Sequence, residues 1–402
     1  VGDGCMMEVI SSEAASLAGT LKLDKLILLY DSNNITIEGG TDIAFTEDVR
    51  KRFESYGWQT LYVEDGTNID EIDQAIKLAK TNQTQPTLIE IKTQIGHGSP
   101  VKQGKASAHG EPLGIDNLAE AKRFLAHPEE EFYVPNEVSE HMQQIISEGA
   151  EKEEEWNALF ESYKQAYPEL AKEWEAWQNN ELPDFWNDED FWNIKKEQAT
   201  RQSSFDMINY IAKTVPNLIG GSADLGPSTK TLMNDRESFS AINYAGSNLH
   251  FGVREHAMAG ITNGMQVYGG LHAYCATFFV FSDYMKNSMR LSALMNLPVT
   301  YVLTHDSIGV GEDGPTHQPV EHLAMLRSMP NMVTFRPADS VETAAAWYYA
   351  ITSKENPTSL VLTRQNLPVL AKSGKEALKG AYVVSDVLPK DADIIMIATG
   401  SE

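Results

Sequence analysis

The stretch Leu26-Ile27-Leu28-Leu29-Tyr30-Asp31-Ser32-Asn33-Asn34 reads as a short apolar strand that runs out into polar turn residues. An apolar run of this length, too short for a helix, fits a strand covered on both faces, as in a parallel sheet. Around it the pattern alternates. Residues 11–21 are small and helical, 46–56 helical, 60–63 strand-like, 69–79 helical and 86–93 strand-like. This βαβ order predicts an α/β fold, a parallel sheet flanked by helices.

A second region of the same kind runs from about 197 to 370. Helices are predicted at 197–213, 254–267, 278–294 and 341–351, and strands at 272–277, 299–304, 332–335 and 359–363. Between the two, after a loop from Gly96 to Gly114, lies helical and very acidic sequence. From Glu151 to Asp190 there are 13 acidic and three basic residues, and Trp156, Trp174, Trp177, Trp186 and Trp192 fall in or just past it. Such helices are expected to lay aromatic faces on the domains and charged faces in water. The expected organisation is a first domain over 1–110, a connector over 111–195, a second domain over 196–370 and the start of a third over 371–402.

The chain has 402 residues, 42% hydrophobic and 22% charged, which excludes wholesale disorder and suits two or three domains. No apolar run approaches the ~20 residues of a membrane-spanning helix. The net charge of −25 repels nucleic acid and anionic lipid over most of the surface, so any phosphate must enter a local basic pocket. Two cysteines, Cys5 and Cys275, imply no disulfide framework and a reducing, cytoplasmic setting. Val1-Gly2-Asp3-Gly4 reads as a strand end entering a turn, and residues 393–398 as one more apolar strand. A parallel strand needs neighbours, so both ends read as lying inside domains, and the expectation is a piece of a longer protein.

The chemistry-bearing residues begin with Gly2-Asp3-Gly4, followed after 28 residues by Asn33-Asn34. Glycines allow close approach to a phosphate, and Asp3 and Asn33 are hard oxygen donors suited to Mg²⁺ or Ca²⁺. Both are expected at the carboxyl edge of one sheet, where α/β proteins bind ligands. Spacing alone leaves open two unrelated turns. Likewise Glu255 by itself is a helix N-terminal carboxylate favoured by the dipole. Phe278, Phe281 and Tyr284, at i, i+3 and i+6 of the expected helix, read by themselves as a core stripe, with Phe279 facing another way into the core.

Longer motifs decide between these readings. Gly2-Asp3-Gly4-Cys5-Met6-Met7-Glu8, Gly221-Ser222-Ala223-Asp224-Leu225, Gly252-Val253-Arg254-Glu255-His256, His305-Asp306-Ser307-Ile308-Gly309, the block from Gly311 to Pro319 and Arg364-Gln365-Asn366 together resemble the transketolase family of thiamine diphosphate enzymes, in that family's order and over essentially the whole chain. The resemblance implies two thiamine diphosphate-binding α/β domains and a homodimer with active sites at the subunit interface. It implies transfer of a two-carbon ketol unit from a ketose phosphate to an aldose phosphate in the non-oxidative pentose phosphate pathway. By the same resemblance Asp3, Asn33 and the carbonyl of Ile35 hold the metal, and Gly4 approaches the diphosphate. Glu255 shares a proton with the cofactor's pyrimidine, and Phe278, Phe281 and Tyr284 wrap that ring. Arg201, Ser228, His305 and Arg364 clamp the sugar phosphate, Asp313 bonds a sugar hydroxyl, His317 contacts the donor oxygens, and His109 acts in proton transfer near the cofactor. Arginine offers planar fixed donors to phosphate, which supplies the basic pocket the acidic chain needs.

Three positions depart from the family pattern. Val9 and Asn34 replace glycines, and Ala106 replaces a histidine three residues before His109. Further family histidines and a glycine-containing cofactor segment precede the position of Val1. The Asp313–Pro319 block and the His305 motif argue against deoxyxylulose phosphate synthase or a dehydrogenase component. A non-catalytic module is the rival of another class, and thiamine diphosphate binding separates it.

Overall fold

A computed structural model describes residues 1–385 and 393–402. The chain divides into two compact units, Val1–Lys172 and Glu173–Glu402.

The first unit carries α1 (Asp3–Met7), α2 (Val9–Thr20), β1 (Ile27–Ser32), α3 (Val49–Ser55), β2 (Gln59–Val63), α4 (Ile69–Thr81) and β3 (Thr87–Lys92). The strands form a parallel sheet in the order β1-β3-β2. Val1 and Gly2 continue it beside β1. The Asp31 amide donates to Val1 O at 2.8 Å, and Gly2 bridges Asp31 in parallel. The sheet's C-terminal edge therefore gathers the residues that follow Gly2 and those that follow Ser32. One face packs Tyr30 and Leu88 against Met6, Ala15, Phe53 and Trp58, whose indole N–H donates to Ala15 O at 2.8 Å. Val9 opens α2 with its side chain exposed and takes no part in this core.

Helices α5 (Ile115–Phe124), α6 (Asn136–Ala166), α7 (Pro168–Gln178) and α8 (Glu189–Trp192) follow. The aromatic faces expected to be laid down here are only partly covered. Among the described residues α6 buries none, and Trp156, Trp174 and Trp186 remain 39–49% exposed. An indole keeps a wet edge more easily than a phenyl ring. Phe185 and Phe191 are the aromatics that reach the core.

The second unit contains β4 (Gln198–Ala199), α9 (Thr200–Thr214), β5 (Leu218–Ser222), α10 (Gly226–Thr229), β6 (Asn248–His250), α11 (Glu255–Tyr268), β7 (His272–Phe278), α12 (Ser282–Leu294), β8 (Thr300–Thr304), α13 (His322–Arg327), β9 (Val333–Phe335), α14 (Ser340–Thr352), β10 (Thr358–Leu362) and β11 (Asn366–Leu367). Six strands form a parallel sheet in the order β6-β5-β7-β8-β10-β9. The chain leaves β5 to one side for β6 and returns on the other for β7. The carboxyl ends of β5 and β7 thus flank a topological switch point, the place where open α/β sheets bind ligands. Helices α9 and α14 cover one face, with Trp347 fully buried and its N–H donating to Ser204 Oγ at 2.9 Å. On β5, a Cβ at Gly221 would fall 1.8 Å from Leu249 O, so only glycine lets β6 approach.

Two expectations are corrected. Phe278 ends β7 rather than opening a helix; Phe279–Phe281 is a 3₁₀ turn, and α12 begins only at Ser282. The stripe Phe278, Phe281, Tyr284 therefore spans a strand end, a turn and a helix. Residues 393–398 form no strand, and Ile394, Ile395, Met396 and Ile397 are 78–94% exposed. No described strand lies beside them to satisfy a ladder.

Candidate active site

In the first unit the Asp3 carboxylate is 3% exposed and organises the turn after β1. Its Oδ1 accepts from the Tyr30 hydroxyl at 2.6 Å, and its Oδ2 from the Asn33 and Asn34 amides at 3.2 and 2.9 Å. Burial, then the Asp3 hydrogen bond, holds the Tyr30 phenol well above its ordinary range, so it stays a donor. The Asn33 side-chain oxygen accepts from the Ile35 amide at 2.9 Å, an Asx-type turn. Asn34 has φ +60°, which asparagine tolerates better than most residues, so glycine is dispensable there. Lys92 Nζ reaches Asn34 Oδ1 at 3.2 Å and ties the turn to β3. Asp3, fastened to the turn that carries Asn33 and Ile35, thus stands beside them, and the three offer a carboxylate, an amide oxygen and a carbonyl: hard, oxygen-only donors, the chemistry of a Mg²⁺ or Ca²⁺ site. Among the described residues no three His, Cys, Asp or Glu side chains cluster as metal ligands. A cation here must draw on neutral oxygens and those of a ligand. His109 is also in this unit, exposed, after the 3₁₀ turn Ala106–Ala108.

In the second unit, residues following β5, β6, β7, β8 and β10 meet at the sheet's carboxyl edge. One cavity, of about 340 Å³, is lined by Ala223, Asp224, Leu225, Val253, Glu255, Phe281 and Tyr284. Glu255 is the first residue of α11 and is 8% exposed, and the helix dipole favours its negative charge. Phe281 is the hinge of the aromatic series. Its ring stacks on Phe278 at 5.9 Å and tilts against Tyr284 at 6.1 Å, while His317 meets it edge-on at 5.3 Å. Phe279 points into the core at 1% exposure, as its place outside the stripe predicts.

A second cavity, of about 280 Å³, is lined by Arg201, Pro227, Ser228, Lys230, Phe278, His305, Asp313 and Arg364. The fold thus gathers Arg201 from α9, Ser228 from α10, His305 after β8, Asp313 from a 3₁₀ turn and Arg364 after β10, residues up to 163 positions apart. Phe278 faces this cavity rather than the first, its ring 3.8 Å from that of His305. Arg201 Nη1 donates to Ser228 O at 2.8 Å and lies 3.5 Å from His305 Nε2. That leaves Nε2 the acceptor, so Nδ1 carries the proton and donates to Thr304 Oγ1 at 2.9 Å. Among the described residues Arg364 has a long, exposed approach to Glu312, 3.9 Å, which binds it weakly. Asp224 and Lys230 line the cavities without any role expected from sequence. Their signal is the left-handed backbone they share with His305, at φ +61°, +58° and +62°, which sequence pattern does not display.

Burial, followed by repulsion from Arg201, lowers the His305 pKa to about 4. The native imidazole is then neutral while the unfolded one takes up a proton below about pH 6.5. Stability contributed by neutral His305 is complete above pH 6.5 and declines as pH falls towards 4. His272, lowered to about 4 by burial, acts in the same window. In a melting-temperature series from pH 8 to 4, His305→Gln is expected to show a shallower acid decline than the parent. Equal slopes would show that His305 titrates normally.

Comparison with known proteins agrees with this arrangement. Residues 1–183 match the family model described as transketolase, thiamine diphosphate binding domain, and residues 196–369 match transketolase, pyrimidine binding domain. The chain belongs to the transketolase family. The transketolases of Bacillus subtilis and Halalkalibacterium halodurans are 53% and 52% identical to it over its whole length, which spans 61% of each. A Pichia stipitis transketolase solved with sedoheptulose 7-phosphate superposes with a TM-score of 0.95 at 44% identity, covering all of this chain and 60% of that one. The family's thiamine diphosphate domains thus account for both units. Among the described residues no helix is long and apolar enough to cross a membrane.

Proposed function

We propose that this transketolase-family chain moves a two-carbon ketol unit from a ketose phosphate to an aldose phosphate, using thiamine diphosphate and Mg²⁺, with Ca²⁺ as the alternative ion. The observation that carries the reading is the pair of cavities at one sheet edge, joined by the stacked Phe278 and Phe281 rings. One pairs Glu255 with aromatics, and the other gathers three cationic side chains around His305 and Asp313.

Bound thiamine diphosphate supplies an electron sink for the carbon–carbon bond that breaks. The chain's residues do the rest. Asp3, Asn33 and the Ile35 carbonyl hold the cation. Gly4 leaves room for the diphosphate: a Cβ there would meet nothing within 4 Å and its φ is not left-handed, so neither packing nor backbone asks for glycine. Glu255 would hold a proton at the cofactor's pyrimidine nitrogen in the cavity that Phe281 and Tyr284 also line, with Phe278 lining the neighbouring cavity instead. Arg201, Ser228, His305 and Arg364 bind the sugar phosphate, Asp313 accepts from a sugar hydroxyl, and His317 and His109 hold and move protons at the donor's oxygens. We infer a homodimer in which the Asp3 turn of one copy and the Glu255 cavity of another serve one cofactor. We also infer domains over 1–110 and 196–370 joined by the connector 111–195, with 371–402 the start of a third domain. Two free cysteines fit a cytoplasmic setting.

The test supplies thiamine diphosphate, Mg²⁺, xylulose 5-phosphate and ribose 5-phosphate. Sedoheptulose 7-phosphate and glyceraldehyde 3-phosphate should form together, and only with both cofactors present. Calorimetry of thiamine diphosphate with Mg²⁺ is run beside it, and absence of binding removes the reading in favour of a non-catalytic module.

A further inference from the structure

We propose that Lys230 is a third cation of the sugar-phosphate cavity, binding the substrate's terminal phosphate together with Arg201 and Arg364. The inference rests on the reading of that cavity as the phosphate site. Lys230 lines it beside Ser228, His305 and Asp313. It is only partly exposed, and among the described residues no hydrogen bond or ion pair engages its ammonium. Lys230 shares this lining with Arg201 and Arg364 against the single carboxylate of Asp313, so on an otherwise acidic chain the cavity carries an excess of positive charge that suits an anion.

The backbone argues the same way. Lys230 caps α10 at φ +58°, ψ +51°, a left-handed conformation that glycine or asparagine adopts with less strain. The turn is fixed on both sides. Thr229 and Thr231 are fully buried, their hydroxyls 2.8 Å apart. Thr229 Oγ1 donates to Leu225 O at 2.9 Å, and Thr231 O accepts from the buried Tyr274 hydroxyl at 2.7 Å. Strain held in place by surrounding hydrogen bonds, at a residue whose side chain lines a binding cavity, is the pattern of a functional position. His305, across the same cavity, shows it too at φ +62°. With His305 neutral, the standing charge of the lining is carried by Arg201, Arg364 and Lys230 against Asp313. Lys230 raises the excess from one positive charge to two, which matches a phosphate monoester dianion.

Lys230→Gly tests this without threatening the fold, because glycine suits the backbone. The variant should melt no lower than the parent. By calorimetry it should bind ribose 5-phosphate about tenfold more weakly, with a shallower salt dependence. With hydroxypyruvate, a donor without phosphate, KM for ribose 5-phosphate should rise about tenfold at unchanged kcat, while glycolaldehyde, an acceptor without phosphate, reacts as before. Lys230→Arg should restore affinity. Parent-like ribose 5-phosphate binding by Lys230→Gly overturns the proposal, as does a loss that extends equally to glycolaldehyde. Arg364→Leu is the control for the cavity itself. If it weakens binding while Lys230→Gly does not, only the Lys230 proposal falls; if neither does, the phosphate reading of the cavity falls with it.

Discussion

Glu255→Gln is expected to lower ketol transfer by about 10²–10⁴-fold, the usual worth of a positioned acid–base group, while leaving the fold intact. Glutamine keeps the side chain's length and one oxygen but cannot take up or release the proton. Glu255 opens α11, so the substitution also gives up a dipole interaction of roughly 0.3–1 kcal/mol, a small part of a domain's stability. The cavity around it is otherwise mostly apolar, lined by Ala223, Leu225, Val253, Phe281 and Tyr284, with Asp224 the other carboxylate. Few polar groups compete for the same ligand atom, so excess thiamine diphosphate should not restore the rate. The second cavity shares none of these residues, and ribose 5-phosphate should bind the variant with parent affinity. Transfer within a few-fold of the parent would remove Glu255 from the chemistry and leave it the dipole-favoured carboxylate that its position alone suggests.

The sequence displays some of this arrangement and conceals the rest for physical reasons. The β1 stretch and its Asn33 turn are legible because an apolar run ending in Asp-Ser-Asn-Asn has few other uses. Strand β5 is not, since Gly220-Gly221 looks like a turn; its glycines are there because Leu249 O and Tyr274 O leave no room for a Cβ. That hides the strand that defines the switch point. Phe278 was expected in a helix because an aromatic run has no period that separates a strand end from a helix start. In space it turns from the Glu255 cavity to the His305 cavity, its ring tilted against the histidine. Residues 393–398 show the converse, a clear strand pattern without a described partner strand. Lys230 is invisible from the sequence because lysine is common on surfaces; its left-handed backbone and the two threonines that fix it emerge only from the fold. Arg364 belongs to a quoted motif and Arg201 follows only from the family resemblance, and nothing in their spacing tells that β10 and α9 bring them to one cavity.

Asp3→Ala is expected to abolish the gain in melting temperature that Mg²⁺ plus thiamine diphosphate gives the parent, and to destabilise the ligand-free protein by about 2–4 kcal/mol. The two effects have separate causes. Without ligand, the carboxylate accepts from the Tyr30 hydroxyl and the Asn33 and Asn34 amides, and removing it orphans all three donors. The Tyr30 hydroxyl lies in the core and cannot be rehydrated cheaply, whereas the amides are partly exposed and recover water. With ligand, the only carboxylate of the donor set is gone, and two neutral oxygens hold a hydrated Mg²⁺ poorly. Asn33→Ala separates these causes. Its side-chain oxygen accepts from the Ile35 amide and its nitrogen donates to Asp31 Oδ1 at 3.3 Å, both part-exposed, so its loss should cost the ligand-free protein about 1–2 kcal/mol. It should nonetheless weaken the Mg²⁺-dependent gain strongly. If Asp3→Ala keeps that gain, the cation is held elsewhere, and the Asp3 turn is only the fold's way of fastening the Asn33-Asn34 turn to the start of α1.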